Sequence, residues 1–126
     1  MIELEVVTPQ RSLLKTLCES VILPGAQGEF QVLEGHVPLL AALKPGTLSY
    51  GDQKLMVAEG YAEIDAKRVS VICEGAALPS ELNLQSEQSL LEQLEAKLLQ
   101  VSAEDDKTLK EIQAQIESVT ARIGII

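Results

Sequence analysis

The fold predicted by this sequence is an N-terminal antiparallel β-sandwich followed by a C-terminal antiparallel two-helix hairpin, and three observations predict it. From residue 2 to residue 73, short runs of strand-like residues recur every eight to twelve positions, the spacing of a sandwich or barrel. Residues 75–79 break that pattern. Beyond Leu84 the apolar period lengthens from two to about three and a half, in two stripes of equal length. The expected domains are a β-sandwich over residues 1–84 and a helical hairpin over residues 85–126.

In residues 2–7, Ile2, Leu4 and Val6 alternate with Glu3 and Glu5, which buries one face of a first strand. A turn at residues 9–12 returns the chain as a second strand over 13–18, and a third covers 20–23. Residues 28–33 form the next strand, and Gly35, His36, Val37 and Pro38 make a corner that Pro38 keeps out of any central ladder. Residues 39–43 are short and apolar, and Pro45-Gly46 is a turn signal with Pro second and Gly third. Two hairpins follow, 47–50 with 53–58 about Gly51-Asp52, and 60–65 with 68–73 about Ala66-Lys67. In the last strand Val69, Val71 and Cys73 face one way, Ser70 and Ile72 the other.

The first helix is predicted over 86–101, with Leu90, Leu91, Leu94, Leu98 and Val101 on one face and Ser86 or Ser89 as cap. After a polar turn, the second runs over 106–122 and repeats the stripe at Leu109, Ile112, Ile116, Val119 and Ile123. Two such stripes joined by a short turn pack on each other as a helical hairpin. Helices of this length are marginal alone, so the hairpin needs a third surface, the sandwich or a partner, and exchange between the two makes it a movable element.

Composition narrows the function. A net charge of -9 excludes the clustered basic face that phosphate backbones or anionic head groups require, so nucleic acid is not a partner. Phe30, Tyr50 and Tyr61 are the only aromatic residues, which makes the core aliphatic and removes any stacking platform. Cys18 and Cys73 read as reduced core thiols. No stretch is long and apolar enough for direct membrane insertion, and no signal peptide is expected, so membrane association must come through a partner. One His and two distant Cys lack metal-ligand spacing, and no phosphate loop or nucleophile-base motif occurs; no catalytic residue, metal site or cofactor is expected. Taken alone, His36 reads as a turn residue whose ring bonds nearby backbone, and Glu29 as a solvated charge beside a turn.

The chain is organised around residues 24–40, PGAQGEFQVLEGHVPLL, where Gly25, Gly28 and Gly35 demand sharp turns about a short strand. With Val7-Thr8-Pro9 before it and Glu59-Gly60-Tyr61-Ala62-Glu63-Ile64 after it, this stretch resembles the epsilon subunit of F-type ATP synthases. Those subunits carry V-T-P, PGxxGExGVLxGHxPLL and GGxAEV in the same order and spacing. Gln31, Glu34 and Glu59 depart from the pattern, where Gly, Pro and Gly are frequent.

The resemblance implies a non-catalytic subunit of the central stalk, peripheral on the cytoplasmic face of a bacterial inner membrane. It would bind the gamma subunit and the c-ring, couple proton or sodium transport to ATP synthesis, and reach the alpha and beta catalytic subunits through its hairpin. On this analogy Gly28, Glu29, Gly35, His36 and Pro38 belong to the rotor interface, and Lys107, Lys110 and Arg122 are the hairpin's regulatory candidates. The family's nucleotide motif, I/L-D-x-x-R-A, aligns with Leu82-Asn83-Leu84-Gln85-Ser86-Glu87 and keeps only the leucine. With Asn83, Ser86 and Glu87 in the altered positions, no ATP site is expected. The tail from Gln85 holds Lys97, Lys107, Lys110 and Arg122 against Glu87, Glu92, Glu95, Glu104, Asp105, Asp106, Glu111 and Glu117, four basic against eight acidic residues, so a grip on an acidic target is weak or apolar. Without the resemblance, a free-standing sandwich adaptor whose tail self-associates as a coiled coil remains the alternative.

Overall fold

The computed structural model describes all residues, 1–126. Ten strands come first: β1 (Ile2–Val7), β2 (Ser12–Cys18), β3 (Ser20–Gly25), β4 (Gly28–Leu33), β5 (Leu39–Leu43), β6 (Gly46–Tyr50), β7 (Gln53–Val57), β8 (Gly60–Ile64), β9 (Arg68–Cys73) and β10 (Ala76–Ala77). A 3₁₀ turn (Pro79–Glu81) leads into helices α1 (Leu84–Gln100) and α2 (Asp106–Ile125).

The strands form two five-stranded layers, β2-β1-β9-β8-β5 and β4-β3-β6-β7-β10, joined where Gly25 of β3 pairs with Leu43 of β5. The inward residues of both layers make one cluster of sixteen, aliphatic as composition demands, with Leu4, Val6, Val69 and Val71 from one layer and Val21, Leu23, Leu48 and Leu55 from the other. Alternation produces this arrangement. In β9 the buried residues are Val69, Val71 and Cys73, and Ile72 faces outward as predicted. Both cysteines are free and buried, and burial raises both thiol pKa values.

Three differences from the sequence reading have physical causes. The β1–β9 pair is parallel, Leu4 opposite Val69 and Val6 opposite Val71, within an otherwise antiparallel sandwich. Gly46 is not a turn glycine, because positive φ is confined to Gly28, Gly35 and Gly51. It opens β6, where a Cβ would lie 2.7 Å from Cβ of Pro24, so close approach of two strands explains the glycine. The first helix starts at Leu84 with Asn83 as its cap, the Asn83 Oδ1 accepting from the Ser86 N–H at 3.0 Å, in place of a serine cap.

The hairpin forms, but its stripes do not simply face each other. α1 packs on α2, and α2 also lies across β6 and β7. That layer buries Met56, which points away from the sandwich core opposite Thr47, and it buries Ile112 and Val119 of α2. Leu94 is the single buried residue of α1, and Leu90, expected in the shielded stripe, is exposed. The third surface that the hairpin needs is the outer face of β6 and β7.

Candidate functional site

The stretch 24–40 is held by backbone bonds at both of its turns. Between β3 and β4 the pairing Gly25–Gly28 closes the tighter turn, with Gly28 at φ 134°. Such a conformation suits glycine alone. A side chain on Gly25 would meet the Gly28 carbonyl and the Phe30 ring. The Ala26 N–H donates to Ala42 O at 2.9 Å, tying this turn to β5. Glu29 follows, opposite Pro24, exposed and with no side-chain partner.

At the other end of β4, Gly35 takes φ 88° and its N–H donates to Ala66 O at 2.7 Å. That bond fixes the corner to the β8–β9 turn, where the Asp65 carboxylate accepts from the Lys67 and Arg68 N–H groups and is held below its ordinary pKa by those two bonds. The Glu34 carboxylate pairs with the Met1 ammonium at 2.8 Å, which lowers its pKa. His36 is half-buried, and its Nδ1 bonds the Val37 carbonyl oxygen at 2.7 Å, the backbone role that its position predicts.

Glu29 and His36 therefore bracket β4, a strand paired only with β3. On either side of Pro38, Val37, Leu39 and Leu40 are exposed, Leu40 at 66%. Leu39 and Leu40 line a pocket of about 340 Å³ with Gly28 and Phe30, so an apolar rim runs beside the Glu29 turn.

A second surface was not legible in the sequence. On the outer face of the other layer, Ala42 pairs with Tyr61, Tyr61 with Ile72 and Ile72 with Val7, giving an apolar row across four neighbouring strands. Tyr61 is 42% and Ile72 36% exposed. Glu59 and Glu74 stand at its end, joined by the Glu74 N–H to Glu59 O bond of 3.0 Å. Period-two alternation puts each of these residues outward, but only the inter-strand register aligns them.

The hairpin candidates divide. Lys110 makes an exposed pair with Asp106 at 3.1 Å, Lys107 has no ion-pair partner, and Arg122 Nε donates to Glu87 Oε2 at 2.8 Å. Asn83, Ser86 and Glu87, the altered positions of the nucleotide motif, are engaged in capping α1 and in pairing α1 with α2. No three His, Cys, Asp or Glu side chains converge as a metal site would require. No helix is long and apolar enough to cross a membrane.

The connector is anchored too. Arg11 bridges both carboxylate oxygens of Glu81, at 2.7 and 3.0 Å, and Glu81 also accepts from the Leu78 N–H. The hydrogen bond from Arg11 holds the Glu81 carboxyl below its ordinary pKa.

Against known proteins, residues 1–79 match the family described as ATP synthase, Delta/Epsilon chain, beta-sandwich domain. The ATP synthase epsilon chain of Geobacter metallireducens is 35% identical over 128 residues, covering 98% of this chain and 92% of that one. That of Microcystis aeruginosa is 35% identical, covering 90% and 85%. Among solved structures, a chain of the Euglena gracilis mitochondrial ATP synthase assembly of OSCP, F1 and c-ring superposes with a TM-score of 0.79 at 20% identity, over 95% of this chain and 78% of that one. A chain of the Tetrahymena thermophila mitochondrial ATP synthase central stalk and c-ring gives 0.63 at 10% identity, over 97% and 96%; both likenesses are of fold.

Proposed function

The chain belongs to the epsilon-chain family of ATP synthases, and on that premise we propose that it is a non-catalytic rotor subunit, docked on gamma by its sandwich and on the c-ring by the turns around β4. The observation that carries this reading is the pair of exposed apolar surfaces on the sandwich, the row Val7–Ile72–Tyr61–Ala42 and the rim Val37–Leu39–Leu40. Apolar area of this kind marks protein contacts. The row spans four hydrogen-bonded strands, and Val7, Tyr61 and Ile72 line a shallow concavity of about 510 Å³, which suits a lasting contact with gamma. The rim and the unpaired carboxylate of Glu29 suit the polar loops of the ring, with Gly28, Gly35, His36 and Pro38 shaping the turns that present them.

Residues 1–84 act as the docking domain and residues 85–126 as a movable tail that restrains ATP hydrolysis by reaching the alpha and beta subunits. Attachment to the cytoplasmic face of the membrane is through these partners, and the coupled ion is proton or sodium. Nucleotide binding at residues 82–87 is not expected, since no arginine lies in that segment and Arg122 is committed to Glu87.

The test is a pull-down from detergent-solubilised membranes of the source organism with tagged protein. Wild type should recover gamma with alpha and beta, and Tyr61→Lys together with Ile72→Glu should lose them while the chain stays folded. Retention of gamma by that variant would move the docking site elsewhere. Glu29→Arg should retain gamma yet weaken ATP-driven ion pumping; unchanged pumping would remove Glu29 from the ring contact.

A further inference from the structure

The apolar row on the outer face of the β2-β1-β9-β8-β5 layer has a second row at its side. Two residues along each strand and on the same face, Val7, Ile72, Tyr61 and Ala42 give way to Glu5, Ser70, Glu63 and Leu40, and the register that aligns the first four aligns these. Same-face neighbours on a strand stand about 7 Å apart. Glu5 and Ser70 are half-buried, and Glu63 is exposed.

Charge on this face is unevenly paired. The two cations that its strands carry, Lys15 and Arg68, both turn to Glu3, at 3.5 and 3.4 Å. Lys15 stands opposite Glu5 in the ladder, yet Glu5 has no ion pair, and neither has Glu63. Both carboxylates flank Ser70, Glu5 across the parallel pairing with β9 and Glu63 across the antiparallel one. Their strands therefore lie about 10 Å apart. On the other side of the apolar row, Glu59 and Glu74 share a cleft with Lys110 and Arg122 of α2, so that side carries its own counter-charge.

In water, two carboxylates at that spacing repel each other little, because the separation exceeds the screening length at physiological salt. Under a partner the balance changes. A helix is about 10 Å across, so one laid on Val7, Ile72 and Tyr61 also covers the neighbouring row, and a carboxylate left unpaired beneath it bears the full cost of desolvation. The partner must bring the cation. We propose that Glu5, Ser70 and Glu63 form a seat for one cationic side chain on the segment of gamma that covers the apolar row. A guanidinium suits the seat best, since its planar fork can turn a donor edge to each carboxylate where an ammonium is a point charge. The proposal rests on the reading of the row as the gamma contact and adds what gamma presents there: apolar residues with a cation beside them.

Binding of the full chain to F1 stripped of its own epsilon chain, measured at low and at high salt, tests it. Glu5→Gln with Glu63→Gln should raise Kd about tenfold at low salt and remove most of its salt dependence, because both partners of a covered charge pair are needed for its attraction. Glu19→Gln with Asp52→Asn removes the same charge from exposed turns off this face and should bind as wild type does. Thermal unfolding of each variant, expected within a few degrees of wild type, keeps loss of binding apart from loss of fold. Equal weakening by the Glu19 and Asp52 variant would assign the effect to net charge and overturn the seat. Wild-type affinity in the Glu5 and Glu63 variant would overturn the seat alone, provided that Tyr61→Lys with Ile72→Glu still abolishes binding. If that last pair also binds as wild type does, the reading of the row as the gamma contact fails, and the proposal with it.

Discussion

The sandwich and the hairpin hold themselves together by different means. Sixteen buried residues from two sheets form one cluster that involves nine of the chain's strands only through their inward faces, whereas the two helices bury Leu94, Ile112 and Val119. The sandwich closes its core on itself. The hairpin completes its core only by borrowing Met56 from the outer face of β7. A domain that supplies both sides of its interior can be a rigid platform, and one that supplies half of its interior can be peeled away.

The largest expected effect separates the two regions directly. Leu48→Ala, fully buried between the sheets, should cost about 3 kcal/mol of global stability in urea unfolding, as truncation in a packed core does. Gly60→Ala should be comparably severe at about 2–3 kcal/mol, because its Cβ would press on the Cys73 backbone 2.6 Å away and neither strand can yield. Gly51→Ala, in open space at φ 56°, should cost only about 1 kcal/mol. Equal losses at Gly60 and Gly51 would show that β8 and β9 are less tightly apposed at Gly60 than that contact requires.

Truncation after Leu84 should leave the sandwich folded and lower its stability by about 2 kcal/mol, the worth of re-exposing one large apolar side chain, Met56. Loss of cooperative unfolding in the truncated chain would erase the distinction between platform and tail. Asn83→Ala should cost about 1 kcal/mol through the α1 cap, seen as faster amide exchange in α1 and little change in the sheets.

The smallest effect is one of pH. The Arg11–Glu81 bridge lowers the Glu81 pKa below its ordinary 4.5, so its stabilisation is fully present above that value and is lost as pH falls through the folded-state pKa. Arg11→Gln should bring the Glu81 titration, followed by carboxyl NMR, back up towards 4.5. A titration unmoved by that substitution would show that the connector is not anchored by Arg11.

Much of this comparison was legible in the residues. The alternation of Ile2, Leu4 and Val6, the outward phase of Ile72, and the hairpins about Gly51-Asp52 and Ala66-Lys67 all follow from local side-chain periods. The turn glycines Gly28 and Gly35 were also legible, because positive φ is a demand of one residue's own backbone. Gly46 misled because a Pro-Gly pair signals a turn as readily as a close approach, and only the neighbour Pro24 decides between them. The boundary of α1 shifted by two residues because Asn83 caps as well as serine does.

The coiled-coil alternative was open on periodicity alone, since a stripe does not say what covers it. The structure covers the stripe of α2 with β6, β7 and α1 inside one chain. Arg122 shows the same limit: the sequence does not say which carboxylate lies within its reach, and in the fold it bonds Glu87 of its own chain.

By itself, then, the sequence determined where strands, turns and helices form and which family the motif in residues 24–40 resembles, because periods and turn preferences act over a few residues. The tertiary structure decided the parallel pairing of β1 with β9, the apolar row from Val7 to Ala42, the burial of Met56 under α2 and the ion pair of Glu87 with Arg122. Each of those joins residues far apart in the chain, and such contacts depend on closing long loops and on which faces two layers have left to bury.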